Sequence, residues 1–282
     1  MMSASAGVAQ FLARDDERVA EAGRTLLLWH GGVRPRAVVL LHGLTASPRQ
    51  FVRFAHDLYA RGHNVLVPRF PGHGYTNRMT HALAGLNDEH LRVFARASLD
   101  AARALGERIT VAGMSAGGTL ALWLAQRQRF DRVVAIAPFL GVAMLPTYLT
   151  GFAMRSLLRL PNLFVWWDPV RRERQLPEHG YPRYATHAIA YLYRIADDVL
   201  RDAKARPPQV RSAGFVFNPG EASVSNRAVR ALSASWKRLG ANVDDVVLRN
   251  MQPSHDIIEP ERNVALAARL YPEILNAIDP QA

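Results

Sequence analysis

Arg108-Ile109-Thr110-Val111-Ala112-Gly113-Met114-Ser115-Ala116-Gly117-Gly118, running on into Thr119-Leu120-Ala121-Leu122-Trp123-Leu124, decides how this chain is read. Arg108 to Ala112 has the apolar character of a strand, and Thr119 to Gln128 reads as an Ala/Leu-rich helix, so Ser115 falls at a strand-to-helix turn. A serine hydroxyl is a poor nucleophile unless it is exposed, oriented and relieved of its proton. A sharp turn of this kind does the first two jobs, with glycines on either side leaving room for neighbouring backbone. The helix that follows aims its N-terminal amides at any negative charge near the serine. The competing reading is a glycine-rich turn of a nucleotide-binding type; Gly-x-Gly-x-x-Gly is absent there, which counts against a dinucleotide.

Outward from this stretch, strands and helices alternate. Before it come a short strand at Thr25 to Trp29, a continuous apolar strand at Ala37 to Leu41, a helix over Pro48 to Arg61, a strand at Asn64 to Pro68 and a helix over Glu89 to Leu105. After it come a strand at Arg132 to Ala137 and, later, strands at Ala213 to Phe217 and Val243 to Leu248, a helix over Val224 to Leu239 and a closing helix over Pro260 to Ile278. Apolar runs separated by helices predict an α/β fold, a doubly wound, mostly parallel sheet covered on both faces. The alternation stops between about 140 and 208, an aromatic, proline-containing segment. The expectation is one domain over residues 1–282 with a helical cap inserted there. Residues 1 to 24 read as a helical, partly polar leader.

The bulk numbers fit this picture. The chain has 282 residues, 49% of them hydrophobic and 21% charged, enough for a sizeable core. Its formal charge is +11, but the cations are almost all arginine, scattered among acids; the densest run, Arg171-Arg172-Glu173-Arg174, has an acid inside it. No zinc-finger spacing, RNA-binding aromatic motif or basic helical arm is present, so no nucleic-acid partner is expected; a solvated Arg-rich surface accounts for the charge. The absence of cysteine excludes disulfides, a cysteine nucleophile and thiolate metal sites. Met1 to Ala20 lacks a basic-then-apolar leader, which predicts a cytoplasmic protein. The longest uncharged stretch, Ala135 to Met154, is broken by Pro138, Gly141, Pro146 and Gly151, so no transmembrane segment is expected.

His42-Gly43-Leu44-Thr45 follows the strand at Ala37 to Leu41. Acyl transfer needs two donors at the oxyanion; the backbone amides of Ala116 and Leu44 are the candidates. His42 reads as a loop histidine.

His-Gly after one strand, Pro71-Gly72-His73-Gly74 after the next and Gly113-Met114-Ser115-Ala116-Gly117 after a later one resemble the α/β-hydrolase superfamily. Within it the chain is similar to small bacterial carboxylesterases and monoacylglycerol-lipase-like serine hydrolases, over roughly residues 36 to 140 and 212 to 278. The resemblance implies a Ser-acid-His order along the chain, with Ser115 as nucleophile and His255, in Pro253-Ser254-His255-Asp256 after the last strand, as its base. It places the acid in the loop Asn218 to Ser225, where Glu221 is the one carboxylate; the alternatives for Glu221 are an exposed turn residue or a helix N-terminal acid. His73 would be structural, and the insertion fits the family's cap. Trp166 and Trp167 would line a substrate pocket, or else form the core of the cap. Met144, Leu145, Tyr148, Leu149 and Phe152 would give a lid an apolar underside, or again a lid core.

The resemblance implies a small-molecule ester substrate and neither a metal nor an organic cofactor. Serine at the elbow argues against the haloalkane dehalogenase and epoxide hydrolase activities, which use Asp there. An amidase or acyltransferase would use the same triad, and a non-catalytic ligand-binding relative would result if the acid were impaired.

Overall fold

The computed structural model describes residues 6–249, 254–259 and 261–280. Along the chain it places α1 (Ala6–Leu12), β1 (Leu26–Leu28), β2 (Arg34–Leu41), α2 (Val52–Ala60), β3 (Asn64–Val67), α3 (Asp88–Arg103), β4 (Gly106–Met114), α4 (Ala116–Arg127) and β5 (Phe130–Ile136). There follow α5 (Thr147–Leu157), β6 (Phe164–Trp166), β7 (Arg183–Ala185), α6 (Thr186–Asp202), β8 (Val210–Phe217), α7 (Asn226–Arg238), β9 (Val243–Val247) and α8 (Val264–Ile278). Part of the expected leader and the prolines at 253 and 260 lie outside the described residues. The leader's helix ends at Leu12; turns and a short 3-10 segment at Glu21–Gly23 follow.

Seven strands form one sheet in the order β1-β3-β2-β4-β5-β8-β9. Every neighbouring pair is parallel except β1 with β3. Side chains alternate between the faces of a strand, and this divides the core. Val39, Leu41, Val111, Val133 and Ala135 pack under α3, α4, α6 and α7. Val38, Leu40, Ala112, Met114, Val134 and Ile136 pack against α2 and α8 on the other face. Strands buried on both sides read as unbroken apolar runs, which is why Ala37 to Leu41 shows no alternation in sequence.

The order has one consequence for function. From β2 the chain moves outward to β3, then crosses back to β4 on the other side of β2. Connections therefore diverge at the carboxyl ends of β2 and β4, where open α/β sheets leave a crevice. Leu41 is in register with Gly113, so the loops beginning at His42 and Ser115 emerge side by side.

Between β5 and β8 the chain leaves the sheet. This excursion contains α5, the antiparallel β6–β7 pair and α6. The buried face of α6, including Ala188, Leu192, Ile195 and Val199, joins the core under α3 and α4, so the end of the excursion also serves as a covering helix of the sheet. α5 buries Thr150, Gly151 and Met154. Its apolar residues Tyr148 (73% exposed) and Phe152 (65% exposed), with Met144, face outward. This corrects the expectation of an apolar underside: the small residues Thr150 and Gly151 permit close approach to Tyr193, and the bulky ones are left on the opposite side of the helix. No described helix is long and apolar enough to cross a membrane.

Candidate active site

Ser115 stands between β4 and α4 with φ 52° and ψ −112°. A non-glycine residue at positive φ is strained, and the surroundings hold it there. The Ser115 amide donates to Ile136 O at 3.0 Å, and its carbonyl accepts from the amides of Thr119 at 3.0 Å and Phe139 at 3.2 Å. The glycines make the turn possible. A Cβ on Gly117 would lie 1.9 Å from Leu41 O, and one on Gly113 would lie 2.3 Å from the Gly117 carbonyl carbon. Both are backbone clashes, so α4 can start this close to β2 only without side chains there.

The structure brings Ser115, His255 and Glu221 into one row. Ser115 Oγ is 2.9 Å from His255 Nε2, and His255 Nδ1 is 2.7 Å from Glu221 Oε2. Glu221 follows β8 in a turn that its own side chain closes: its Oε1 accepts from the amides of Ser223 at 2.6 Å and Val224 at 3.2 Å. Its carboxylate is fully buried, which the exposed-turn alternative did not foresee. Burial pushes the Glu221 carboxyl upward, but the His255 hydrogen bond and charge and the two amides outweigh it, and it stays below its ordinary value. Burial likewise pushes His255 down, and the Glu221 hydrogen bond and charge, helped by Asp256, more than reverse this and raise it above 6.5. A carboxylate on Nδ1 leaves Nε2 free to accept a proton from the serine.

The loop after β2 lies against Ser115; a Cβ on Gly43 would be 3.7 Å from that of Ser115. Gly43 O accepts from Ala46 N at 3.1 Å and lies 2.9 Å from His42 Nδ1. In a trans peptide the N–H points opposite the carbonyl, so these contacts turn the Leu44 amide away from the His42 ring. Among the described residues neither the Leu44 nor the Ala116 amide donates a hydrogen bond to the protein. His42 is buried, with Nε2 accepting from Phe70 N at 3.2 Å, and His73 accepts from Thr45 N through Nε2 at 3.3 Å. Burial keeps both rings neutral, His73 at about 4.

A cavity of about 420 Å³ opens over Ser115 and His255. Leu44, Phe139, Val142, Ile189, Leu192 and Val224 supply its apolar lining, while Gln175, Asp256 and Arg262 lie on its polar side. Trp167 lines it; Trp166 does not. Adjacent residues of an extended segment face opposite ways, so only one of the pair can reach the cavity. Trp166 stands on β6 near the Arg183 guanidinium.

A second Ser-His-Glu row was not evident in the sequence. Ser47 Oγ is 2.9 Å from His179 Nδ1, and His179 Nε2 is 2.9 Å from Glu259 Oε2. Its chemistry differs. Ser47 is fully buried and its hydroxyl donates to Ala22 O at 3.0 Å. Ser47 does not line the cavity, and a hydroxyl bonded to a backbone carbonyl and closed off from the cavity is not placed to attack a substrate. His179, Glu259 and Glu261 also place ligand-type atoms within 4.8 Å of one another. Both His179 nitrogens and both Glu259 oxygens already have protein partners, which fits a structural cluster better than a cation site.

The comparisons with known proteins agree with the fold. The profile of the "Alpha/beta hydrolase family" matches residues 38–269. A thermostable monoacylglycerol lipase of Bacillus sp. (strain H-257) is 23% identical over 233 residues, which span 78% of this chain and 86% of the lipase. A solved structure from work on the metagenome-derived lipolytic enzymes LipS and LipT superposes with a TM-score of 0.68 at 19% identity, covering 90% of this chain and 98% of that one. The monoacylglycerol lipase of Paleococcus ferrophilus gives 0.66 at 17% identity with the same coverage. By its motif order, its sheet and this match over most of its length, the chain belongs to the α/β hydrolase family.

Proposed function

We propose that this protein is a serine hydrolase that cleaves carboxylic esters through an acyl-enzyme. The observation that carries the reading is the continuous row Ser115 Oγ, His255 Nε2, His255 Nδ1, Glu221 Oε2, at 2.9 and 2.7 Å, on a strained strand-to-helix turn. The lipolytic relatives support ester cleavage as the reaction.

In this mechanism Ser115 Oγ attacks the ester carbonyl carbon while His255 Nε2 takes its proton. The carbonyl oxygen becomes an oxyanion and accepts from the amides of Leu44 and Ala116. The C–O bond to the alcohol breaks, and His255 gives its proton to the departing oxygen. Water then attacks the acyl-enzyme, passing its proton to His255, which returns it to Ser115. Glu221 holds the ring in the tautomer that leaves Nε2 as acceptor and stabilises the transient imidazolium. The segment from Phe139 to Ala185 acts as the cap over the cavity. The apolar lining suits an acyl chain, with Trp167 as one wall.

The test is hydrolysis of p-nitrophenyl esters from acetate to palmitate, with Ser115→Ala as control. Turnover that disappears in the variant is expected; turnover that survives it, or an inert folded protein, overturns the reading.

A further inference from the structure

The two loops that would form the reaction centre are not held by the sheet alone. Thr45, next to the oxyanion candidate Leu44, sits at φ 69°, a costly conformation for a β-branched residue that persists only where contacts over-determine it. Its hydroxyl donates to Leu44 O at 2.5 Å and accepts from Trp167 Nε1 at 2.9 Å. Its carbonyl accepts from the Tyr181 amide at 2.7 Å. Trp167 and Tyr181 both belong to the excursion between β5 and β8. Two residues further along the same loop, Ser47 Oγ pairs with His179 Nδ1, again from the excursion, and the other side of the His179 ring meets Glu259. Glu259 is four residues beyond His255, on the loop that carries it. His179 and Glu259 are both almost wholly buried, and His179 does not line the cavity.

We propose that His179 is a positioning residue for the reaction: by bridging Ser47 and Glu259 it locks the loop of Leu44 and the loop of His255 in register across the mouth of the site. The inference rests on the reading of Ser115 as nucleophile. A bridge between the two loops sets the spacing between oxyanion donor and base, which counts in the transition state more than in substrate binding. Misplacement on the order of 1 Å costs up to about 100-fold in rate.

The experiment is steady-state hydrolysis of p-nitrophenyl butyrate by the full chain, with thermal melting of each variant. His179→Ala is expected to lower kcat about 10- to 100-fold with KM within about threefold of the parent. Ser47→Ala, which removes one hydroxyl and keeps the ring, should lower kcat in the same direction. The double variant should be no slower than the slower single one, because both break one bridge. His179→Gln, which can still donate toward Glu259, should recover part of the loss. A purely structural His179 would lower the melting temperature and leave kcat of the folded protein unchanged; that result overturns the inference, as does a loss confined to KM. If His179→Ala fails to fold, Ser47→Ala decides alone, and an unchanged kcat overturns it. A parent enzyme whose activity vanishes in Ser115→Ala while the His179 and Ser47 variants stay at parental kcat overturns this inference only. An inert parent overturns the underlying reading and this inference together.

Discussion

Glu221 Oε2 accepts from His255 Nδ1 at 2.7 Å while Glu221 Oε1 accepts from two amides of its own turn. The longer side chain of Glu, compared with Asp, is absorbed by that turn, which folds the carboxylate back beneath the loop. Glu221→Gln keeps the shape but puts an amide where a carboxylate held the ring. kcat is expected to fall by about 10³- to 10⁴-fold, with the melting temperature lowered only modestly. Steady-state kinetics on a short p-nitrophenyl ester checks this, and a loss of less than tenfold would remove Glu221 from the mechanism.

In the proposed mechanism the same contact sets the pH profile. His255 must be neutral to take the Ser115 proton, and its environment holds it above 6.5. Activity should therefore be lost as pH falls, with the acid limb of kcat/KM centred above 6.5. Asp256 favours the charged ring and Arg262 opposes it. Asp256→Asn should move the limb to lower pH and Arg262→Ala to higher pH. Opposite movements, or a limb that ignores both, would contradict the assignment of His255 as the base.

Gly117 has no room for a side chain. Its missing Cβ would stand 1.9 Å from Leu41 O, a backbone atom of a central strand. Gly117→Ala should destabilise the fold by about 4 kcal/mol or more and abolish activity. A urea melt compared with the parent measures it; a loss below about 1 kcal/mol would mean that α4 can move away from β2 freely.

Asp279, just after α8, draws in Arg36, Arg61 and His63. Burial pushes its carboxyl up, but the hydrogen bonds and charges of these groups outweigh it and hold the carboxyl well below the ordinary Asp value of 3.8. A depressed carboxyl contributes stability that is complete above the ordinary value and is lost as pH falls below it. Asp279→Asn should cost about 3 kcal/mol at neutral pH, and the difference from the parent should shrink below pH 4. Thermal melts across pH 3 to 8 test this; a penalty that does not change with pH would assign it to packing rather than charge.

The sheet was legible because its central strands are buried on both faces, and their apolar runs end at glycine-rich turns that few other folds require. The Ser-acid-His order was read from the resemblance to the family; in the structure Ser115, Glu221 and His255 follow β4, β8 and β9. What pattern could not give is side-chain direction outside regular alternation. Tyr148 and Phe152 face solvent because Thr150 and Gly151 take the tight contact. Trp167 reaches the cavity and Trp166 does not. His179 carried no local signal at all: Glu178-His179-Gly180 is an unremarkable turn in sequence, and its partners are 132 and 80 residues away. Only the packing of the excursion against both loops brings them together.

Ser115 and the buried Ser47 each lie 2.9 Å from a histidine ring nitrogen, and the proposed mechanism makes Ser115 the activated nucleophile. Incubation with a fluorophosphonate, then peptide mapping by mass spectrometry, tests it most directly, because only a serine with a base and oxyanion donors reacts readily. A single phosphonyl adduct on Ser115, absent in Ser115→Ala and strongly slowed in His255→Ala, is the predicted result. An adduct on Ser47, or none on the folded protein, would contradict the account.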